Sequence, residues 1–108
     1  MAVLTVQKLT NAGITPTYSA ADVAGDKFAN NGRTFLVVKN GSASAVTVTI
    51  NSQKKCDQGF DHDITVSVPA SGERWIGPFD PNRFNNANGQ VEVAYSAVTS
   101  VTVAAVQV

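Results

Sequence analysis

The residues best suited to chemistry lie in one short polar stretch, residues 56–63, which holds the only histidine of the chain and three carboxylates. Their alternation around a glycine is similar to a calcium-binding loop, but the further acidic positions and the closing glutamate of such a loop are missing. Cys56 and His62 could bind zinc, yet no second pair of ligands follows at the required spacing. We therefore interpret the stretch as a solvated loop between strands, with no metal and no cofactor.

Catalysis finds equally little support in the sequence. A lone histidine needs a nucleophilic serine or cysteine presented on a sharp turn, and no G-x-S-x-G element is present. Paired carboxylates remain formally possible at Asp57, Asp61 and Asp63, but solubilising positions at a strand start explain them more simply. No glycine-rich phosphate loop precedes a helix. The sequence predicts that the protein is not an enzyme.

Cys56 is the only cysteine of the chain, so no disulfide can form within one chain. Two interpretations stay open for it. It is an ordinary thiol in or beside a loop, or it forms an intermolecular disulfide or contact in an assembly, since it lies between Lys55 and Asp57 in a polar stretch.

The charge balance and the hydropathy of the chain argue against two classes of partner, nucleic acids and membranes. Eight Lys and Arg residues balance eight Asp and Glu residues, and no basic run exceeds Lys54-Lys55, whereas nucleic-acid binders carry a basic excess. No apolar run is long enough to cross a bilayer, and the first residues lack the pattern of a signal peptide. We expect no nucleic-acid partner, no membrane partner and a protein that is made in a cytoplasm.

The apolar residues recur with period two, as in Val46-Val48-Ile50, which is typical of half-buried strands. No window shows an uninterrupted helical pattern, although one helical turn near residues 19–23 is allowed. The predicted strands cover residues 3–9, 15–19, 33–40, 45–52, 62–68, 73–77, 90–96 and 101–108. The sequence thus predicts an all-β fold: a single domain over residues 1–108, an antiparallel β-sandwich or jelly-roll-like barrel of seven or eight short strands.

Turn residues and aromatic residues add detail to this prediction. Residues 40–44 and 69–72 carry turn signals, and we expect each to join its flanking strands as a hairpin. Trp75 and Phe79 are expected to fill the core, with Arg74 facing solvent, and residues 77–82 are expected to form a stiff loop.

The strands nearest the chain ends are the candidates for contact with other subunits. Residues 101–108 are apolar on both faces, so this strand either lies centrally in its sheet or forms an edge that another chain completes. We expect subunit pairing through residues 3–9 or 101–108. The residues placed on these strands are Val3, Leu4, Val6, Val101, Val103, Val106 and Val108.

Two stretches of the sequence resemble a known family of proteins. Residues 25–41, with Asn30-Asn31-Gly32-Arg33, and residues 68–79, with Phe84-Asn85 after them, resemble small β-sandwich proteins encoded in the virion-structure region of tailed bacteriophages. Residues 54–61, with Cys56, depart from that pattern.

The resemblance implies a virion structural protein, foremost a capsid decoration or cement protein. Such a protein is assembled in the host cytoplasm, lies on the capsid surface and binds the major capsid protein and neighbouring copies of itself, here as a homotrimer. The alternatives are a tail, neck or fibre-associated module, or a carbohydrate-binding β-sandwich that would use Trp75, Tyr18 and residues 82–88.

Overall fold

The computed structural model describes residues 1–53 and 63–108 of the chain. Within these ranges the chain forms two mixed sheets whose inner faces share one apolar core. The elements are β1 Ala2–Leu4, β2 Val6–Lys8, β3 Ser19–Ala20, β4 Asp26–Ala29, β5 Thr34–Asn40, β6 Val46–Ile50, β7 Ile64–Val68, β8 Glu73–Ile76, α1 Pro81–Phe84, β9 Gln90–Tyr95 and β10 Val101–Gln107. The prediction of an all-β, sandwich-like fold is confirmed.

Sheet I has the strand order β1-β4-β9-β6-β7, and sheet II has the order β2-β10-β5-β8, with β3 also pairing with β10. The period-two pattern explains the packing between them. Val46, Val48 and Ile50 of β6 are buried in the core, whereas Thr47 between them is exposed. Leu36 and Val38 of β5 close the core from the opposite sheet.

The N-terminal residues change from one sheet to the other. β1 pairs in parallel with β4 in sheet I, and β2 pairs in parallel with β10 in sheet II. The exposed Thr5 lies between them. The single strand predicted at residues 3–9 is therefore two strands, and these make the two parallel pairings of the described chain.

The structure also contains a strand that the sequence pattern did not predict. β4 is flanked by Gly25 and Asn30, and its residues Asp26 and Lys27 are charged, so its composition is typical of a loop. Its Phe28 is nevertheless fully buried. With the divided first strand, β4 brings the described strands to ten, against the seven or eight expected.

The helical turn that the sequence allowed near residues 19–23 is not formed. Residues 19–20 form β3, and no helix occurs near residues 19–23. The helix α1 lies at Pro81–Phe84, where a stiff loop was expected. Its first turn is capped by Asp80, whose carboxylate accepts a hydrogen bond from the amide of Asn82 at 3.0 Å, and Pro81 occupies the first helical position, where proline is favoured.

The two predicted hairpins are also wrong, because both connections pass between the sheets. β5 lies in sheet II and β6 in sheet I, while β7 lies in sheet I and β8 in sheet II. Alternation in two successive strands does not reveal whether they pair with each other or face each other across the core.

One side chain holds both of these connections together. The buried amide nitrogen of Asn40 donates to the carbonyl oxygens of Ser44 at 2.8 Å and Val68 at 3.2 Å, one in each connection region. Its carbonyl oxygen accepts hydrogen bonds from the backbone amide and the hydroxyl of Ser42. The backbone amide of Asn40 donates to the carbonyl of Gly72.

We expect Asn40→Ala to lower the free energy of unfolding by about 3 kcal/mol, because it leaves several buried carbonyl groups without a donor. Urea denaturation followed by circular dichroism measures this loss. Asn11→Ala is the matched control: Asn11 is exposed, and its replacement should change the stability by less than about 0.5 kcal/mol. Equal stability of the two variants would contradict the role assigned to Asn40.

Candidate functional site

The N-terminal edge, which we define as residues 1–9, forms one outer edge of each sheet. β1 is the last strand of sheet I and β2 is an outer strand of sheet II. Among the described residues, no strand pairs with the outer side of β1. Leu4 points into the core and Val6 is half-buried, but Val3 is 61% exposed, and Met1 and Leu9 are exposed as well.

The outer edge of β2 is partly occupied by the chain itself. The side-chain amide of Gln7 makes two hydrogen bonds with the backbone of Thr17, donating to its carbonyl at 2.9 Å and accepting from its amide at 2.8 Å. β1 is therefore the more open half of the N-terminal edge.

β10 occupies the centre of sheet II. β5 pairs along one side of it, and β2 and β3 share the other side. Val101 and Val103 lie in the core, Val106 is buried on the opposite face, and Val108 follows the strand with 58% of its surface exposed. Of the two positions left open for this strand, it takes the central one and has no free edge for a second chain. Subunit pairing stays a prediction for Val3, Leu4 and Val6.

The polar stretch lies almost entirely outside the described residues, which exclude 54–62. The predictions for Cys56, Asp57, Asp61 and His62 therefore fall on residues that are not described. Asp63 is described, and its carboxylate accepts a hydrogen bond from the backbone amide of Ser52 at 2.7 Å. Within residues 1–53 and 63–108, no group of three potential metal-binding side chains occurs.

A buried acid lies between the sheets where the sequence pattern indicated nothing of the kind. Asp26 is completely buried, and its Oδ2 accepts hydrogen bonds from the hydroxyl of Tyr95 at 2.7 Å and from the backbone amide of Asp22 at 3.3 Å. Its Oδ1 has no hydrogen-bond partner within the described part of the chain. Burial, reinforced by the hydrogen bond to Asp26, raises the pKa of Tyr95 well above its ordinary value. The pair joins β4 and β9 through a side-chain hydrogen bond, with Asp26 fully buried and Tyr95 partly exposed.

The outer face of sheet II carries an aromatic cluster. Phe35, Val37 and Lys39 alternate with the core residues of β5 and therefore lie on the face away from the core. Trp75 of β8 pairs with Val37 on this face, and its indole stacks on Phe35 with ring centroids 5.3 Å apart and planes 24° apart. The indole Nε1 donates to a carboxylate oxygen of Glu73 at 3.1 Å.

This arrangement corrects the expectation for Trp75. Phe79 is buried, as expected, but Trp75 is 59% exposed. The reason is the pleat of β8, in which consecutive residues point to opposite faces. Since Ile76 enters the core, Trp75 must point outward. The sequence signal that could have placed it is that Trp75 and Ile76 are consecutive in one strand, so that only one of them can enter the core.

No family model, no curated protein and no solved structure matches this chain. No helix in the described ranges combines the length and the hydropathy needed to span a bilayer. The exposed large apolar side chains of the described residues include Met1, Val3 and Leu9 of the N-terminal edge and Trp75 of the aromatic cluster, which makes these two surfaces candidates for binding.

The Asp26–Tyr95 pair predicts how the stability of the protein depends on pH. The unfolded chain releases the tyrosine proton near pH 10, whereas the raised pKa of Tyr95 keeps it bound in the folded state, so stability falls as the pH rises above about 10. Tyr95→Phe should remove this component of the fall and should lower the stability at neutral pH by about 1–2 kcal/mol, because Asp26 loses a donor. Urea titrations at neutral and alkaline pH measure both effects. Tyr18→Phe, with its half-buried ring on the surface, should retain the alkaline fall.

Proposed function

We propose that this protein is a non-enzymatic structural protein of a tailed-bacteriophage virion, which decorates the capsid and binds the major capsid protein through its N-terminal edge. The observation that carries the proposal is the unpaired outer side of β1, next to the exposed side chain of Val3, in a sandwich whose described residues contain no metal-binding cluster. The resemblance of residues 25–41 and 68–79 to virion proteins supports the same function.

A comparison of two sheet edges supports the choice of β1. Proteins protect exposed edge strands with charged residues, which discourage pairing with other chains. β8 carries Glu73 and Arg74, and the Arg74 guanidinium donates to the backbone carbonyl of Glu73 at 3.0 Å. β1, with the sequence Ala-Val-Leu, carries no charged side chain. β7, the other outer strand of sheet I, is also uncharged, but its exposed side chains are the polar Thr65 and Ser67, whereas β1 exposes Val3. An uncharged edge with an exposed apolar side chain fits a strand that a partner covers.

Addition of a partner strand to β1 would supply main-chain hydrogen bonds, and Val3 would supply apolar contact. The balanced charge of the chain imposes no repulsion between neighbouring copies. At a three-fold position of a capsid, closed symmetry favours a homotrimer. In this proposal the protein lies on the capsid surface, and it needs neither a cofactor nor nucleic acid.

Copy number tests the location of the protein in the particle. We expect quantitative mass spectrometry of virions of the encoding phage to find about one copy, or about one third of a copy, per major capsid subunit. A ratio of a few per cent would instead assign the protein to the neck or tail, and absence from the particle would contradict a virion role. Running the samples without and with reductant also shows whether Cys56 forms an intermolecular disulfide.

The binding edge is tested separately with particles grown without this gene. Purified protein is added to these particles, and the bound fraction is measured after sedimentation. Val3→Lys should reduce binding at least about tenfold, because it places a charge in the contact. Val3→Ile should bind like the original chain, and Ala43→Lys adds the same charge to an exposed connection as the control. Undiminished binding of a folded Val3→Lys variant would exclude β1 as the contact.

A further inference from the structure

The aromatic cluster of sheet II extends further than the Trp75–Phe35 pair. Lys39 and Glu73 are register partners on this face, one pair away from Val37 and Trp75. Tyr18, in the connection between β2 and β3, places its ring 4.1 Å from the Nζ of Lys39. We call the row Tyr18, Lys39, Glu73, Trp75 and Phe35 the aromatic row.

The Trp75 end of the row is held in place before any ligand arrives. The indole of Trp75 is fixed from its edge by Glu73 and from its face by Phe35. Phe35 in turn packs against the backbone of Gly77, where an added Cβ would lie 2.9 Å from the Cβ of Phe35. A pre-ordered ring loses little conformational entropy on binding.

The open apolar area on this face is small. Val37, Ala104 and Val106 also point away from the core, yet each is at most 2% exposed. The exposed apolar surface in the row is therefore confined to the rings, whereas a standard protein interface buries a continuous surface of roughly 800 Å² per partner. This favours a small ligand over a second protein.

The chemistry of the row indicates what kind of ligand fits. Aromatic rings at the two ends of the row flank one cation and one anion, so the row presents stacking surfaces, hydrogen-bond donors and acceptors, and charges that cancel within the row. A pyranose ring has apolar C–H faces that stack on aromatic rings and a rim of hydroxyl groups that donate and accept hydrogen bonds. The Lys39–Glu73 pair lies two residues from the Val37–Trp75 pair, about 7 Å along the strands, so the charged groups lie beside the indole and can reach the hydroxyl rim of a sugar stacked on it.

We propose that the aromatic row binds a neutral oligosaccharide, with Trp75 as the main stacking platform, Tyr18 as a second platform, and Lys39 and Glu73 as hydrogen-bonding groups. Hexoses with equatorial substituents fit best, since their faces are flat. This activity does not depend on the N-terminal edge or on a virion location.

The chain contains a single tryptophan, so Trp75 reports on its own site. Titration with cellohexaose and with chitohexaose should give a saturable change in tryptophan emission for at least one of the two. Tyr18→Ala should weaken that binding by about threefold to tenfold, whereas Tyr18→Phe, which keeps the ring, should bind like the original chain.

Trp75→Ala removes the reporter, and binding by this variant is measured by calorimetry, where the heat of binding should disappear. Val23→Ala, at an exposed apolar position outside the row, should leave the affinity unchanged. Absence of both an emission change and heat with either oligosaccharide would overturn the proposal. Concentration-dependent self-association that is lost in Trp75→Ala would also overturn it and would assign the row to contact between copies. Val3→Lys should bind sugar normally, so failure of the capsid proposal and failure of this one are distinguishable.

Discussion

The hydrogen bonds of the buried Asn40 side chain are the constraint on which the sandwich depends. A chain that alternates between two sheets needs fixed crossings, and two of them lie next to each other at this residue. An amide suits the position because it combines a donor group for carbonyls with an acceptor for backbone amides. A carboxylate would lack the donors, and an apolar residue would leave the carbonyl groups of both crossings unsatisfied.

A second asparagine arrangement fixes the connection around α1. The side-chain nitrogen of Asn30 donates to the carbonyl of Phe79 at 3.1 Å and to the side-chain oxygen of Asn85 at 2.8 Å, and the side-chain nitrogen of Asn85 donates back to the carbonyl of Asn30. Asn30, Asn40 and Asn85 thus fasten loops to the sandwich, and these residues take no part in the two candidate binding surfaces.

The sequence was informative wherever a local rule decides the outcome. Alternating apolar residues located β6, β7 and β9, because one face of each of these strands is the more buried one. The same rule could not assign strands to sheets, since a hairpin and a crossing between sheets have the same alternation. It also missed β4, in which a buried Asp26 stands where an apolar residue is expected. The burial of Asp26 depends on a hydrogen bond from the hydroxyl of Tyr95, which is distant in the sequence.

The sequence also predicted the candidate binding surfaces only in part. Residues 3–9 were one of the two segments expected to pair with another subunit, and the division of this segment between two sheets depends on β4 and β10, which are distant in the chain. The parallel pairing of β2 with β10 also determines when sheet II can form during synthesis. Val6 pairs with Ala105, so sheet II cannot close until almost the whole described chain has left the ribosome. Pairing over such a separation is slow, and during synthesis β2 waits longest for its partner, whereas β1 can pair with β4 much earlier.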